Sequence, residues 1–215
     1  DFSTSIVITL LITSLLFIAG IKYKFIFSSL LIGSTLGIIM IFFKYDYQKE
    51  RLFSWLGFGD VISNAQVDNS ILALANGSLL GRGIGESTFK YNGFIPAGQT
   101  DFILAIIGEE LGFIGIALLF FLFFSLFIKG MEIAKTSNDR FGMFLSAGLS
   151  INIIIYLVVN ASYVVGLLPT TGLPIPFISY GGSQTIFTML SLGILLNISN
   201  QNRKNKIMDY YRAKL

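Results

Sequence analysis

The chain has no cysteine and no histidine among its 215 residues. Without cysteine it can form neither disulfides nor metal sites built on thiolates. Without histidine it lacks Ser-His triads, histidine-ligated metals and the usual general base near neutral pH. Any acid–base chemistry must therefore come from Asp, Glu, Lys or Tyr side chains.

Charge is also scarce. Only 13% of the residues are Asp, Glu, Lys or Arg, against about 25% in an average soluble domain. Hydrophobic residues make up 53% of the chain, and the mean hydropathy is +0.74. This composition predicts an integral membrane protein and argues against a soluble domain.

Five apolar runs approach or exceed the length of about 20 residues that a hydrocarbon core requires. They cover residues 5–21, 25–43, 102–128, 141–165 and 184–198. The predicted fold is an all-α, polytopic transmembrane helix bundle over residues 1–198, followed by a basic tail at 199–215.

Charges between the runs assign the two sides of the membrane. The connections after the first and third runs and the tail are basic, which makes them cytoplasmic: Lys22, Lys24, Lys129, Lys135, Arg140, Arg203, Lys204, Lys206, Arg212 and Lys214. Residues 44–101 and 166–183 then form two outer loops, of which the second carries no charge.

Each outer loop has a pattern of its own. Between Val67 and Leu80, apolar and polar residues are interspersed, which predicts an amphipathic helix at the membrane interface. Residues 166–183 contain three prolines and cannot form a continuous helix, so we expect a re-entrant loop there. That loop would offer a ligand the backbone N–H groups and hydroxyls of Ser179, Tyr180, Gly181, Gly182 and Ser183.

Three acids lie in the segment "TDFILAIIGEELGFIG". Asp101 is at the outer end of the third run, and on a continuous helix it would begin a stripe of small residues that faces protein: Ala105, Gly108, Gly112 and Gly115. Glu109 would lie on the flank of this stripe, about 12 Å deeper, and Glu110 on the opposite side. Asp101 could also serve as a helix-capping acid, and the two glutamates as a buried structural pair.

Cations on the outer side are few. Apart from the juxtamembrane Lys44 and Lys49, they are Arg51, Arg82 and Lys90. An anionic substrate that approaches Asp101 from outside would have to meet these three, and pyrophosphate suits such a combination of arginine and lysine.

Three motifs together resemble the SEDS family (shape, elongation, division and sporulation), which includes FtsW, RodA and SpoVE. "TDFILAIIGEELGFIG" is similar to the family pattern T-D-F-I-x-A-x-x-x-E-E-x-G-x-x-G. "TTGLPIPFISYGGSQ" is similar to T-G-x-x-x-P-F-[IV]-S-Y-G-G-[ST], and "GRGIGESTFK" to G-x-G-x-G-x-S-x-x-K. The match covers the C-terminal half of such proteins, and "GES" and "RLFSWL" favour the FtsW branch over RodA.

The resemblance implies an inverting peptidoglycan glycosyltransferase that polymerises lipid II on the outer face of the bacterial cytoplasmic membrane during division or elongation. Asp101 matches the family's essential aspartate, and a divalent cation, Mg²⁺ or Mn²⁺, would bind there. Further substrate contacts are predicted at Arg51, Arg82, Ser87, Lys90, Thr100, Glu109, Ser179, Tyr180, Gly181, Gly182 and Ser183.

The implied partners are a class B penicillin-binding protein and other membrane proteins of the division or elongation machinery, with no role for nucleic acid. Activity is expected to require the family's N-terminal spans. Two alternatives remain open at this point: a transporter that flips lipid II, and a scaffold without catalytic activity.

Overall fold

The computed structural model describes residues 2–44, 50, 53–56, 61–212 and 214. Within these ranges the regular secondary structure is helical, and no strand occurs. The helices are α1 (Phe2–Ile18), α2 (Tyr23–Lys44), α3 (Val61–Gly77), α4 (Thr88–Tyr91), α5 (Ile103–Lys135), α6 (Arg140–Val164) and α7 (Gly182–Arg212). The predicted all-α fold is thereby confirmed.

Each of the five predicted apolar runs coincides with a helix. Among the described residues, α5, α6 and the Gly182–Met208 part of α7 are long and apolar enough to cross a membrane, and α1 is a shorter apolar helix. The second run, residues 25–43, is occupied by α2. Helix α7 does not end with the apolar run at residue 198, because the basic residues that follow continue it to Arg212.

The bundle is built around the pair α5 and α6. Helix α3 packs mainly on α5, α1 packs on α6, and α7 contacts both central helices. Small residues bring the central pair together: a Cβ added to Gly130 would lie 1.9 Å from Ser150 Oγ. Close approach through glycine and serine is a common way for helices to associate in a membrane.

Helix α5 is broken at Gly112, where the backbone adopts φ 67° and ψ −167°. The loop after α3 binds to the backbone groups that this break leaves without a helical partner. Four hydrogen bonds join the two segments: Arg82 N to Glu109 O at 3.0 Å, Gly83 N to Glu110 O at 3.0 Å, Phe113 N to Ser78 O at 2.9 Å, and Ile114 N to Leu79 O at 3.2 Å.

This arrangement corrects the prediction of one uninterrupted helix from Asp101. The helix begins only at Ile103, and the break at Gly112 ends the regular spacing on which the small-residue stripe depended. Glycine is required at the break for a local reason, because a Cβ on Gly112 would lie 2.3 Å from Gly81 N.

Helix α3 confirms that part of the first outer loop is helical, but its protein-facing side is not purely apolar. Ser70 is completely buried and donates to Val164 O at 2.6 Å, and Asn76 donates to a carboxyl oxygen of Glu109 at 2.8 Å. These polar contacts direct α3 along α5 and towards the end of α6.

The second outer loop is irregular, as predicted, and folds back into the protein. The side chains of Leu173, Ile175 and Pro176 are buried. Ile175 joins a hydrophobic core that also contains Phe102 and Tyr163. One end of this core therefore lies where α5 begins and α6 ends, beneath the turn that contains Asp101, and the core continues along α5 to Phe123.

Candidate active site

Asp101 lies in the turn that precedes α5 and is partly exposed. The N-cap position of the helix is Phe102, whose side chain makes no capping hydrogen bond. Asp101 is thus not the N-cap residue, and its carboxyl group lies at the end of the bundle beside the second outer loop.

Residues from the "SYGG" segment hold the two carbonyl groups before Asp101. The Tyr180 N–H donates to Gln99 O at 3.0 Å, and the Ser179 hydroxyl donates to Thr100 O at 2.7 Å. Ser179 also accepts a hydrogen bond from Ile175 N at 2.8 Å. The 99–101 turn and the second outer loop are therefore fixed to one another through the backbone.

Helix α6 holds the third carbonyl of the turn. Asp101 O accepts a hydrogen bond from the Tyr163 hydroxyl at 2.7 Å and another from Asn160 Nδ2 at 2.8 Å. The Tyr163 ring also packs edge-on against Phe102, with 5.5 Å between the ring centroids. Three consecutive carbonyl groups, at residues 99, 100 and 101, are thus held by four residues: Tyr180, Ser179 and the pair Asn160 and Tyr163.

The side chain of Asp101 faces the second outer loop at Gly172. A Cβ built on Gly172 would lie 3.4 Å from Asp101 Oδ2, and the backbone there has φ +69°. Glycine at this position therefore leaves room beside the carboxylate that any other residue would occupy.

A second polar constellation surrounds Glu109, in the second turn of α5. Its side chain is completely buried. Five donors from α3 and the α3–α4 region converge on its two carboxyl oxygens: Asn76 Nδ2 at 2.8 Å, Ser87 Oγ at 2.5 Å, Thr88 N at 3.1 Å, Thr88 Oγ1 at 2.7 Å and Phe89 N at 3.3 Å. We call these residues the Glu109 cluster. Such a set of donors suits an ionised carboxylate, which only accepts hydrogen bonds.

The Glu109 cluster fixes the loop that carries two of the predicted cations. Arg82 N is bonded to Glu109 O, and Lys90 N is bonded to Ser87 Oγ at 3.2 Å. Both cationic side chains are exposed, and Lys90 Nζ lies 5.8 Å from the centroid of the Tyr91 ring. The third predicted cation, Arg51, lies outside the described residues.

The predicted site residues therefore divide into two groups. Thr100, Asp101, Ser179 and Tyr180 lie together at the 99–101 turn, and the neighbouring residues at the start of α7 are partly or fully exposed: Gly181, Gly182 and Ser183. Ser87 and Glu109 lie in the Glu109 cluster, where they are completely buried and bonded to each other. That geometry favours a supporting role for these two over direct contact with a substrate.

Sequence reasoning missed Asn160, Tyr163 and Gly172. Asn160 and Tyr163 are three residues apart, a spacing that puts two side chains on one face of a helix. A polar pair at this spacing in an otherwise apolar run is a signal that could have identified them.

A divalent cation at Asp101 would have few protein ligands. The described residues contain no group of three or more His, Cys, Asp or Glu side chains that could hold a metal. Mg²⁺ commonly binds through one or two carboxylates together with waters and substrate phosphates. Asp101 could supply such a carboxylate, and the other ligands would have to come from substrate and water.

Comparison with known proteins agrees with the motifs. Residues 1–204 match the model of a family described as "Cell cycle protein", which comprises FtsW, RodA and SpoVE. Similar proteins named "Probable peptidoglycan glycosyltransferase FtsW" include one from Riesia pediculicola, 36% identical over 99% of this chain and 58% of its own length. The Geobacter metallireducens protein is 38% identical over 87% of this chain and 50% of its own length. The Bacillus subtilis protein is 37% identical over 96% of this chain and 55% of its own length. The chain thus spans about half the length of these curated relatives.

One solved structure shares the fold. It comes from work on the structural coordination of polymerization and crosslinking by a peptidoglycan synthase complex. The TM-score is 0.73 at 23% sequence identity, and the match covers 94% of this chain and 56% of that one. The arrangement of helices is therefore shared with a component of such a complex.

Proposed function

The chain belongs to the FtsW/RodA/SpoVE family of cell cycle proteins and is an integral membrane protein, and from that premise we propose that it forms part of a peptidoglycan glycosyltransferase that polymerises lipid II. The relatives named for this activity support the proposal. One structural observation carries it: the turn that contains Asp101 is held through three consecutive carbonyl groups, while Asp101 itself stays partly exposed. A partly exposed acid on a fixed turn suits a general base, whose efficiency depends on its position.

In the proposed reaction, Asp101 accepts the proton of the GlcNAc 4-hydroxyl on the acceptor. The acceptor oxygen forms a bond to the anomeric carbon of the donor, while the bond from that carbon to the pyrophosphate oxygen breaks. Undecaprenyl pyrophosphate leaves with the bonding electron pair, and attack from the opposite face inverts the anomeric configuration. We assign the role of base to Asp101 because it matches the family's aspartate in the "TDFILAIIGEELGFIG" motif.

The leaving pyrophosphate requires positive charge nearby. Arg82 and Lys90 are exposed and lie on the loop and on the short helix α4, which the Glu109 cluster holds against α5. We assign them, together with Arg51, to this role. A divalent cation at Asp101 would supply further neutralisation of the phosphate charge.

The proposed location is the outer face of the bacterial cytoplasmic membrane, with the basic end of α7 in the cytoplasm. The distribution of Lys and Arg among the connections supports this orientation. The proposed partner is a class B penicillin-binding protein, which would crosslink the new strands alongside other membrane proteins of division or elongation. Membership of the structural neighbour in a peptidoglycan synthase complex supports that partner, and co-purification of the complete protein with the transpeptidase would test it.

The decisive experiment is Asp101→Asn in the complete protein, reconstituted in proteoliposomes with purified lipid II on the outside. We expect glycan-strand synthesis to fall by at least about a hundredfold, the usual contribution of a general base. Asp68→Asn is the matched control, because Asp68 is an exposed acid on α3. Polymerisation at the normal rate by Asp101→Asn would remove Asp101 from the chemistry.

The broken helix α5 favours a second candidate, a transporter that flips lipid II, because broken helices are common in transporters. The same proteoliposomes distinguish the two, since polymerisation of lipid II that is already outside needs no translocation.

A scaffold without activity would instead leave cells that carry Asp101→Ala dividing normally, provided that the protein is made and localised.

A further inference from the structure

Two fully buried polar side chains, Asn160 and Tyr163, face the same direction on α6. Asn160 Nδ2 lies 2.7 Å from the Tyr163 hydroxyl oxygen, so the two side chains form one hydrogen-bonded unit. Polar groups inside an apolar helix bundle are costly, and they are most useful where their hydrogen bonds specify one geometry.

The unit binds two backbone carbonyl groups from different segments. Asp101 O and Leu173 O lie 2.8 Å and 2.7 Å from Asn160 Nδ2, and 2.7 Å and 3.1 Å from the Tyr163 hydroxyl. Carbonyl oxygens only accept, so the amide must present its NH₂ side to them. Three donor hydrogens serve this arrangement: one joins Asn160 to the Tyr163 hydroxyl oxygen, which leaves two for the two carbonyl groups.

The contact with Leu173 O fixes the surroundings of the Asp101 carboxylate. Leu173 directly follows Gly172, which lies next to Asp101 Oδ2. By holding Asp101 O and Leu173 O together, Asn160 and Tyr163 set the distance between the carboxylate and the loop beside it. Among the described residues Asn160 Oδ1 has no hydrogen-bond partner, so the amide is retained at a cost that an apolar side chain would avoid.

We infer that Asn160 and Tyr163 are positioning residues for the chemistry of Asp101: they hold the aspartate turn and the Gly172–Leu173 backbone at the separation in which an acceptor hydroxyl reaches the carboxylate. The inference rests on the proposed function. To that function the inference adds two residues, which contact the backbone of the site and need not contact substrate.

The test uses Tyr163→Phe, which keeps the ring and its packing on Phe102 and removes only the hydroxyl, and Asn160→Leu, which keeps the volume. Tyr156→Phe, on the same helix, is the matched control, because it also removes only a hydroxyl and keeps a ring that packs against the apolar cluster of Val7, Val159 and Leu173. In the complete protein, with lipid II as substrate, we expect kcat per folded molecule to fall about ten- to hundredfold in both variants, as for small misplacements of a catalytic group. KM should stay within about twofold, because the loss is in the chemical step.

Asp101→Asn is measured alongside, so that failure of the positioning inference can be distinguished from failure of the proposed function. If Tyr163→Phe retains the wild-type kcat per folded molecule, or raises KM with kcat unchanged, while Asp101→Asn is inactive, the positioning inference is wrong and the proposed function stands. If Asp101→Asn is itself active, the proposed function fails and the inference fails with it. Should Asn160→Leu not fold, Tyr163→Phe alone decides.

Discussion

The Ser87 hydroxyl donates a hydrogen bond of 2.5 Å to the Glu109 carboxyl group, and both side chains are completely buried. Ser87 belongs to the loop between α3 and α4, whereas Glu109 belongs to α5. Because Asn76 at the end of α3 donates to the same group, one carboxyl group connects three segments. The exposed Arg82 of that loop and the exposed Lys90 of α4 depend on this connection for their position.

Replacement of Glu109 by Gln should destabilise the protein by about 3 kcal/mol, because buried donors would lose an acceptor and face an amide NH₂ instead. We expect a lower melting temperature in detergent, together with faster tryptic cleavage after Arg82 and Lys90 as the loop opens locally.

Glu110→Gln is the control for this change. One carboxyl oxygen of Glu110 is buried without a partner among the described residues, so loss of its charge removes no hydrogen bond there and should leave the melting temperature unchanged or raise it. Equal destabilisation by the two substitutions would show that the Glu109 cluster does not hold the loop.

The sequence could predict the helices but not the break in α5. Hydropathy and helix-breaking residues act locally, which is why the five apolar runs and the irregular Pro/Gly loop appear in the structure. The break at Gly112 instead depends on Ser78, Leu79, Arg82 and Gly83, which reach it from about 30 residues earlier in the chain. No periodic pattern within the sequence of α5 can indicate partners that are so distant along the chain.

Gly112→Ala should disrupt this junction. The substitution imposes a side chain on a backbone at φ +67° and brings its Cβ to 2.5 Å from Leu79 O, with an expected loss of about 2 kcal/mol or more. Gly20→Ala shares the backbone strain, at φ +81°, but its Cβ meets nothing within 4 Å. A melting temperature for Gly112→Ala no lower than that of Gly20→Ala would contradict the close contact.

The site was predictable only in part, because some of its residues come together only through contacts between segments that are distant along the chain. Asp101 is identified by its place at the start of an apolar run and by the motif around it, and the structure surrounds it with Ser179 and Tyr180 from the second motif. Asn160 and Tyr163 lie in a run whose hydropathy predicts only a membrane span, so their contact with the aspartate turn becomes evident once the fold brings α6 beneath it.

The orientation in the membrane can be tested by cysteine labelling, since these 215 residues contain no native cysteine. Cysteines elsewhere in the complete protein would first be replaced. A membrane-impermeant maleimide should label Glu86→Cys in intact cells, because residue 86 is exposed on the first outer loop, and should label Lys206→Cys only after permeabilisation. The reverse pattern would place the Asp101 end of the bundle in the cytoplasm and contradict the proposed location.

Gly172→Ala tests whether the space beside Asp101 is needed for the reaction. The added Cβ would lie 3.4 Å from Asp101 Oδ2, in the region where an acceptor hydroxyl must come within about 3 Å of the carboxylate. Gly93→Ala is a close control, because Gly93 has the same φ of +69° and its Cβ would meet nothing within 4 Å. Backbone strain should therefore lower the melting temperature similarly in both variants. Polymerisation of lipid II should fall in Gly172→Ala by a further tenfold or so relative to Gly93→Ala; equal rates would mean that substrate approaches Asp101 from another side.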